Sequence, residues 1–353
     1  MIGSRLRLVR EICGLTQLEL GELIGTTQSG VASLEAGIYR PSQTFLDTIA
    51  RRTGFSVGFI DKEETQDFPF GSLLYRVHAS VRPSDRTRAH GLAVVTFELA
   101  TMLSSKLKRV PVNIPKLDED PERCAQITRA SLGLSPHTPI RGLLRSLERK
   151  GVWIFSLPLE VDGFDGFSTW VGNDDSRPVI ALLQGKTPFR EVFTAGEEVA
   201  HLVMHSPLRG VNAQDADKEA RQFAQEFLLP EEAMRAEMPQ PVTLSSLAAL
   251  KPRWGVSLAF LAKRAESLEL LTRNQCRYLI QQMRSRWGAK IEPGDDAIVP
   301  EKPRMLQKMA EMVYGDPINL ARLSKDSGLS PDLLRQLLNL ESSRARILEF
   351  RKL

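Results

Sequence analysis

The sequence predicts an α+β chain, mostly helical, with an N-terminal all-α bundle, a middle domain holding a small sheet and a C-terminal helical region. Three observations predict it. Before residue 60, Gly14, Gly25, Gly37 and Gly54 each follow an amphipathic stretch, where a helix end wants a residue at positive φ. Only three β-type runs occur, GVWIFSLPL, FSTWV and RPVIALL, clustered between residues 151 and 183 and separated by Gly, Asp and Asn. From residue 188 onward the apolar periodicity is helical and is interrupted mainly by proline and glycine.

In chain order, Thr16, Thr27 and Ser42 stand where N-caps of successive helices belong, so four or five short helices are expected up to residue 60. Residues 61–83 carry charges, Pro69, Gly71 and Pro83 with weak periodicity and read as a linker. A long helix is expected over 84–110, with LAVVTFELATML at its centre, then helices near 121–132 and 138–151. After the β-type runs come strong helices at 188–205 and 217–228. Further helices follow, with breaks at Pro252, Gly288–Pro293, Pro300–Pro303 and Gly315–Pro317.

The chain has 353 residues, which favours two or three domains, each with room for a core. Its 42% apolar and 25% charged residues are ordinary globular values, and a net charge of +4 is compatible with nucleic acid without pointing to it. Cys13, Cys124 and Cys276 are odd in number and far apart, so they offer neither a disulfide framework nor a CxxC metal pair. The first residues lack the apolar core of a signal peptide, and no apolar run reaches the ~18 residues of a membrane span. A reducing cytoplasm, with no membrane partner, is the expected setting.

The stretch Leu15–Gly37 has the mechanics of a helix-turn-helix. Leu20, Leu23 and Ile24 give one helix an apolar face, Gly21 admits a close neighbour, and Gly25 makes the turn. Val31 and Leu34 anchor the second helix, which leaves Gln28, Ser29 and Ser33 pointing outward. A recognition helix uses such N-terminal positions on base edges, and Gln bonds adenine in a bidentate way. Gln17, at the start of the preceding helix, is placed for a phosphate. The candidate DNA contacts are Gln17, Thr27, Gln28, Ser29, Ser33 and Arg40. Residues 1–62 hold seven Lys or Arg against six Asp or Glu, so phosphate affinity from this module is expected to be weak and a homodimer on a duplex operator is expected to compensate. This segment, with Gln28-Ser29-Gly30-Val31 eleven residues after Gln17, resembles the phage-repressor and Cro-like (XRE-type) regulators. That resemblance implies sequence-specific binding of duplex DNA.

The best chemical signal lies in FTAGEEVAHLVMH. An H-E-x-x-H helix presents two metal ligands one turn apart with a general base between them. Here Glu197 stands at the first ligand position, Glu198 at the base and His201 at the second ligand. His205, a turn further on, is a poorer replacement ligand and suits a partly buried helix cap. The runs DGFSTWVG, RPVIALLQGKTP, REVFTAGEEVAHLVMH and DKEARQFAQEFLLP resemble the ImmA/IrrE zinc-dependent peptidases from about residue 85 to 235, and the region from Trp254 resembles the tail that follows them. The resemblance implies a zincin-like middle domain and a third carboxylate ligand at Glu219, with Asp217 a poorer candidate. The departure is Glu197. A Glu/His/Glu set favours Mn²⁺ more and Zn²⁺ less than the family's ligands, and its negative charge makes a bound water a weaker acid. Metal is expected to be weakly held or absent.

The expected organisation is therefore 1–62 for DNA binding, 63–83 as linker, 84–240 as the peptidase-like domain and 241–353 as a helical tail. The favoured reading is a transcriptional regulator whose peptidase-like domain senses a signal or contacts a protein or peptide without cleaving it. Two alternatives stand beside it: a metal-dependent endopeptidase acting on a repressor or partner, and an antitoxin-like regulator that binds a toxin. Three further stretches have a functional reading beside a bland one. Ser168-Thr169-Trp170 suits an edge strand for peptide addition or ordinary sheet packing. RNQCRYLIQQMRSRWGAK (273–290) suits DNA phosphate or a solvated helix face. INLARLSKDSGLSPDLLRQLL (318–338) suits a second DNA-binding unit or a terminal packing element.

Overall fold

The computed structural model describes residues 2–62, 68–70, 81–172, 176–205, 212–288, 292–295 and 300–340. Five helices open the chain: α1 (Ile2–Ile12), α2 (Gln17–Ile24), α3 (Gln28–Glu35), α4 (Gln43–Thr53) and α5 (Val57–Ile60). Their ends are set locally. Thr16 and Glu19 form a reciprocal capping box, and Thr27, Ser42 and Ser56 each accept a backbone N–H two or three residues into the next helix. Gly25 closes α2 at φ 77°, where a side chain would be strained. At Gly21 space is the reason instead: a Cβ would lie 2.8 Å from the Thr26 carbonyl oxygen, so the α2–α3 turn could not close onto the helix.

The long helix α6 (Pro83–Ser104) is shorter than the expected 84–110, because Ser104 and Ser105 turn their hydroxyls back to the Thr101 and Met102 carbonyls and end it. It is buried on several sides, as a helix apolar nearly all round must be. One side meets α1. Gly91 lets the backbones approach, since a Cβ there would lie 2.9 Å from Ile12 Cγ1. Arg88 Nε donates to the Ile12 carbonyl at 3.0 Å, and the buried Arg5 pairs with Glu98 at 2.7 Å. Helices α7 (Pro121–Ser131) and α8 (Leu143–Arg149) follow. The latter starts later than the expected 138, because Gly142 at φ 69° forms its N-cap; its first amides, of Leu144 and Arg145, are taken by the Glu301 carboxylate.

Strands β1 (Trp153–Leu157), β2 (Gly166–Val171) and β3 (Arg177–Leu183) form one sheet in the order β1-β3-β2. β3 is central, parallel to β1 and antiparallel to β2, with Trp153 opposite Val179 and Ser168 opposite Ile180. All seven residues of β3 are buried, because both faces of the sheet are covered. The alternation of side chains divides them between two cores. Trp153, Phe155, Val179 and Ala181 belong to one core, with α1–α6 and the C-terminal helices; Ile154, Ile180 and Leu182 belong to the other.

That second core is built from α9 (Pro188–Met204), α10 (Ala213–Leu228), α11 (Glu231–Glu237), α12 (Leu244–Trp254), α13 (Leu258–Ser267) and α14 (Arg273–Trp287), with α7 and α8. Gly196 brings α9 onto α10: its Cβ position is 3.4 Å from Leu228 Cδ1 and 3.6 Å from Ala224 Cβ. The expected break at Pro252 is not seen. Pro252 lies in the last turn of α12, where a missing N–H costs a single ladder bond, and the helix ends two residues later at Trp254, capped by Gly255.

The chain closes with α15 (Met305–Tyr314), α16 (Leu320–Ser327) and α17 (Pro331–Leu337). The α16–α17 turn has Gly328 at φ 77° and Ser330 as N-cap, and it docks on the N-terminal bundle. Ser56 N donates to the Gly328 carbonyl at 3.0 Å, and Phe55 and Leu329 form an isolated bridge. Leu333, Leu334 and Leu337 are in the core, and the first exposed position of α17 after its proline is an acid, Asp332. This pair packs into the first core against the N-terminal bundle. Among the described residues no helix is long and apolar enough to cross a membrane.

Candidate functional site

The first candidate surface is the start of α3. Val31 and Leu34 are buried and fix the helix, so Gln28 and Ser29 stand exposed at its first turn. Thr27 accepts the Gly30 N–H at 3.1 Å and shares a hydrogen bond with Ser29 Oγ at 2.9 Å, which orders this turn. Ser33 is half-buried and donates to the Ser29 carbonyl at 2.9 Å, so its proton is spent on its own helix. Gln17 is engaged as well: its Nε2 donates to Glu35 Oε2 at 3.0 Å, on a carboxylate that also holds Arg10. Gln17 thus ties α2 to the end of α3. Arg40 is exposed and paired with Asp61 at 2.8 Å.

Tyr39, half-exposed, donates to the Gly30 carbonyl at 3.0 Å and lies against the first turns of α3. Sequence reasoning missed it, because a tyrosine in an inter-helix loop carries no pattern of its own. The module's cations are largely committed. Arg5, Arg7, Arg10 and Arg40 are all in ion pairs, with Glu98, Glu11, Glu35 and Asp61.

The second candidate is the α9 helix with its neighbours. Glu197, Glu198 and His201 are all buried, at 4%, 0% and 5% exposure, so this is no solvated helix face. Glu197 and His201, one turn apart, share a side of α9. Glu198 is turned to the sheet, where Ser168 Oγ donates to its Oε2 at 2.8 Å. His201 Nδ1 and His205 Nδ1 are 2.8 Å apart, so one ring supplies the proton and the other the lone pair. His205 Nε2 then meets Glu219 Oε2 at 3.1 Å. The structure therefore brings Glu219 to this helix through His205, which sits at the helix C-cap. Asp217 faces Arg221 at 3.6 Å, and Arg221 Nε lies 3.8 Å from Glu197 Oε1.

Among the described residues no three His, Cys, Asp or Glu side chains form a group arranged to hold a metal ion. Glu197 faces a guanidinium, and Glu219 and His201 both face His205. Arg221 was not recognised from sequence, because only the α9–α10 packing puts it beside Glu197.

β2 is an edge strand, as peptide addition would require. Its side chains are used for packing: Ser168 bonds Glu198, Trp170 Nε1 donates to the Leu202 carbonyl at 3.0 Å, and Lys116 Nζ lies 3.9 Å over the Trp170 ring.

A helix-turn-helix family model matches residues 6–60. The IrrE N-terminal-like domain family, a peptidase family, matches residues 147–266, from the end of α8 through the sheet to α13. No curated protein matches the chain.

Proposed function

The chain fuses an XRE-type helix-turn-helix module to an ImmA/IrrE-like domain, and from that premise we propose that it is a sequence-specific transcriptional regulator whose peptidase-like domain does not cleave but senses a signal or contacts a partner. The observation that carries the DNA reading is the exposed pair Gln28 and Ser29 on a capped, anchored first turn of α3. Gln28 has its amide available for a base edge, whereas the Gln17 amide is held by Glu35. Losing a bidentate base contact costs about 1–3 kcal/mol, so Gln28→Ala is expected to weaken operator binding by roughly tenfold or more and to relax sequence preference. Footprinting and anisotropy titrations on the protein's own promoter region test this. Wild-type footprints from Gln28→Ala would remove α3 as the reading helix.

The near-neutral module also supports a dimer on two half-sites about one helical turn apart. Sedimentation with and without operator DNA tests it; a monomer at saturation would refute it.

For the second domain, the observation is a buried carboxylate, Glu197, at the first ligand position one turn before His201. A carboxylate in place of the first ligand, with a cation next to it, supports weak or absent Zn²⁺ or Mn²⁺ binding and no peptide cleavage. Metal analysis of the purified chain and cleavage assays on wild type and Glu198→Gln test it. Stoichiometric zinc with cleavage abolished in Glu198→Gln would favour an endopeptidase instead.

A further inference from the structure

Helix α14 has the sequence RNQCRYLIQQMRSRW and contains no acidic residue. Cys276, Leu279 and Met283 are buried at i, i+3 and i+7 and hold it in the second core. Its other side is exposed. Arg273, Arg277 and Arg284, at i, i+4 and i+11, fall on one stripe that runs roughly 16 Å along the axis. Arg286 and Gln281 are also exposed, and so is Tyr278, an aromatic ring at 61% exposure.

On several other surface helices a cation is paired with an acid of the same helix. Arg7 is paired with Glu11, Arg235 with Glu231, Lys263 with Glu266, Lys308 with Glu311 and Arg335 with Asp332, each within one turn. Among the described residues Arg277, Arg284 and Arg286 have no such partner. A solvated face stabilised by i,i+4 pairs would carry acids among its arginines. A face that meets a polyanion would not, because each acid would repel the phosphates.

An independent observation points the same way. The helix-turn-helix holds seven basic and six acidic residues in 1–62, and four of its arginines are ion-paired. Phosphate neutralisation dominates protein–DNA affinity, and this module supplies little of it. We propose that the exposed stripe of α14 formed by Arg273, Arg277 and Arg284 binds the phosphate backbone of duplex DNA without sequence preference. Arginine forks suit phosphate oxygens, and the amide of Gln281 beside the stripe adds a neutral donor. The division of labour is then between α3, which selects sequence, and α14, which adds affinity. The inference rests on the reading of the chain as a DNA-binding regulator.

The test uses the full chain and a mixed-sequence duplex several helical turns long, titrated by fluorescence anisotropy across a salt series. In the variant Arg273→Gln/Arg277→Gln/Arg284→Gln the slope of log K against log salt is expected to become shallower by about 2–3, at about 0.9 per lost phosphate contact. Affinity at low salt is expected to fall at least about tenfold. The triple Arg→Lys variant keeps the charges and is expected to retain most of the slope. Gln28→Ala is expected to keep the wild-type slope on this duplex and to lose operator preference only. A triple Gln variant with wild-type slope and affinity would overturn the proposal. So would a Lys variant as impaired as the Gln variant, or a loss confined to binding of phosphatidylserine vesicles. If Gln28→Ala keeps operator preference while the Gln variant loses slope, the α3 reading fails and the α14 proposal stands.

Discussion

At position 197 a carboxylate stands one turn before His201 on a buried helix side, with the Arg221 guanidinium 3.8 Å away. If metal is weakly held, as proposed, the magnitudes favour the ligand change over the arginine as its cause. Arg221 is 63% exposed on a flexible stem, and exposed pairs are worth about 0–1 kcal/mol, so it can swing aside. A missing imidazole cannot be recovered by motion. Glu197→His is therefore expected to raise zinc affinity through a His/His/Glu set, provided Glu219 leaves His205 for the metal. Adding Arg221→Ala is expected to raise it further by a smaller factor. Zinc titrations against a competing chelator measure both. If neither variant gains affinity, Glu219 is not a third ligand. At this scale the sequence was legible in spacing: Glu197 and His201 do fall one turn apart on one buried side of a helix. It was not legible where chemistry comes from contact. The Gln17–Glu35 bond, Tyr39 on Gly30 and Arg221 on Glu197 join residues 9 to 24 positions apart whose meeting depends on helix packing.

Among the elements, helix α9 begins with a conflict. Glu191 in its first turn should be favoured there as an anion by the helix dipole, by about 0.3–1 kcal/mol. Burial opposes this more strongly and, with only partial relief from Lys302, pushes its carboxyl up to about 7. The folded state thus binds the proton more tightly than the unfolded chain, whose carboxyl titrates near 4.5. The stability this contributes is present below about 4.5 and is lost as the pH rises through about 7. Glu191→Gln cannot ionise and is expected to be more stable than wild type at pH 8 by about 1–3 kcal/mol, with a much smaller difference at pH 4. Urea melts at the two pH values check it; parallel curves for the two proteins would remove Glu191 as the titrating group. Element boundaries were legible where caps decide them: Thr16, Thr27, Ser42 and Ser330 begin helices, and Gly25, Gly54 and Gly328 end them. They were misjudged where the deciding partner is distant. Glu301 caps α8 from more than 150 residues away. At Pro252 the helix simply tolerates a missing bond in its last turn.

Across the whole molecule, the sheet is shared between two cores, and the N-terminal bundle lies in the same core as α6 and α15–α17. Apolar periodicity shows that α6 and α17 must be buried but cannot say against what, so the sequence left open which core receives them. The packing has a consequence for how the DNA-reading module is held. Leu334 of α17 is fully buried in that core, and the turn before α17 holds Phe55 and Ser56 of the bundle. Leu334→Ala is expected to cost about 2–5 kcal/mol, the range for a buried leucine whose site cannot collapse. Because α17 and α1–α6 share one core, that loss should not stay local. It should appear as faster hydrogen exchange of the α2 and α3 amides, which are some 300 residues away in sequence, while those of α9 and α10 in the other core change less. Operator affinity is expected to fall with it at temperatures near the transition, although Leu334 touches no DNA. If α2 and α3 instead exchange as in wild type while α17 is loosened, the bundle folds independently of the C-terminal helices, and their contact at Phe55 and Leu329 adds nothing to its stability.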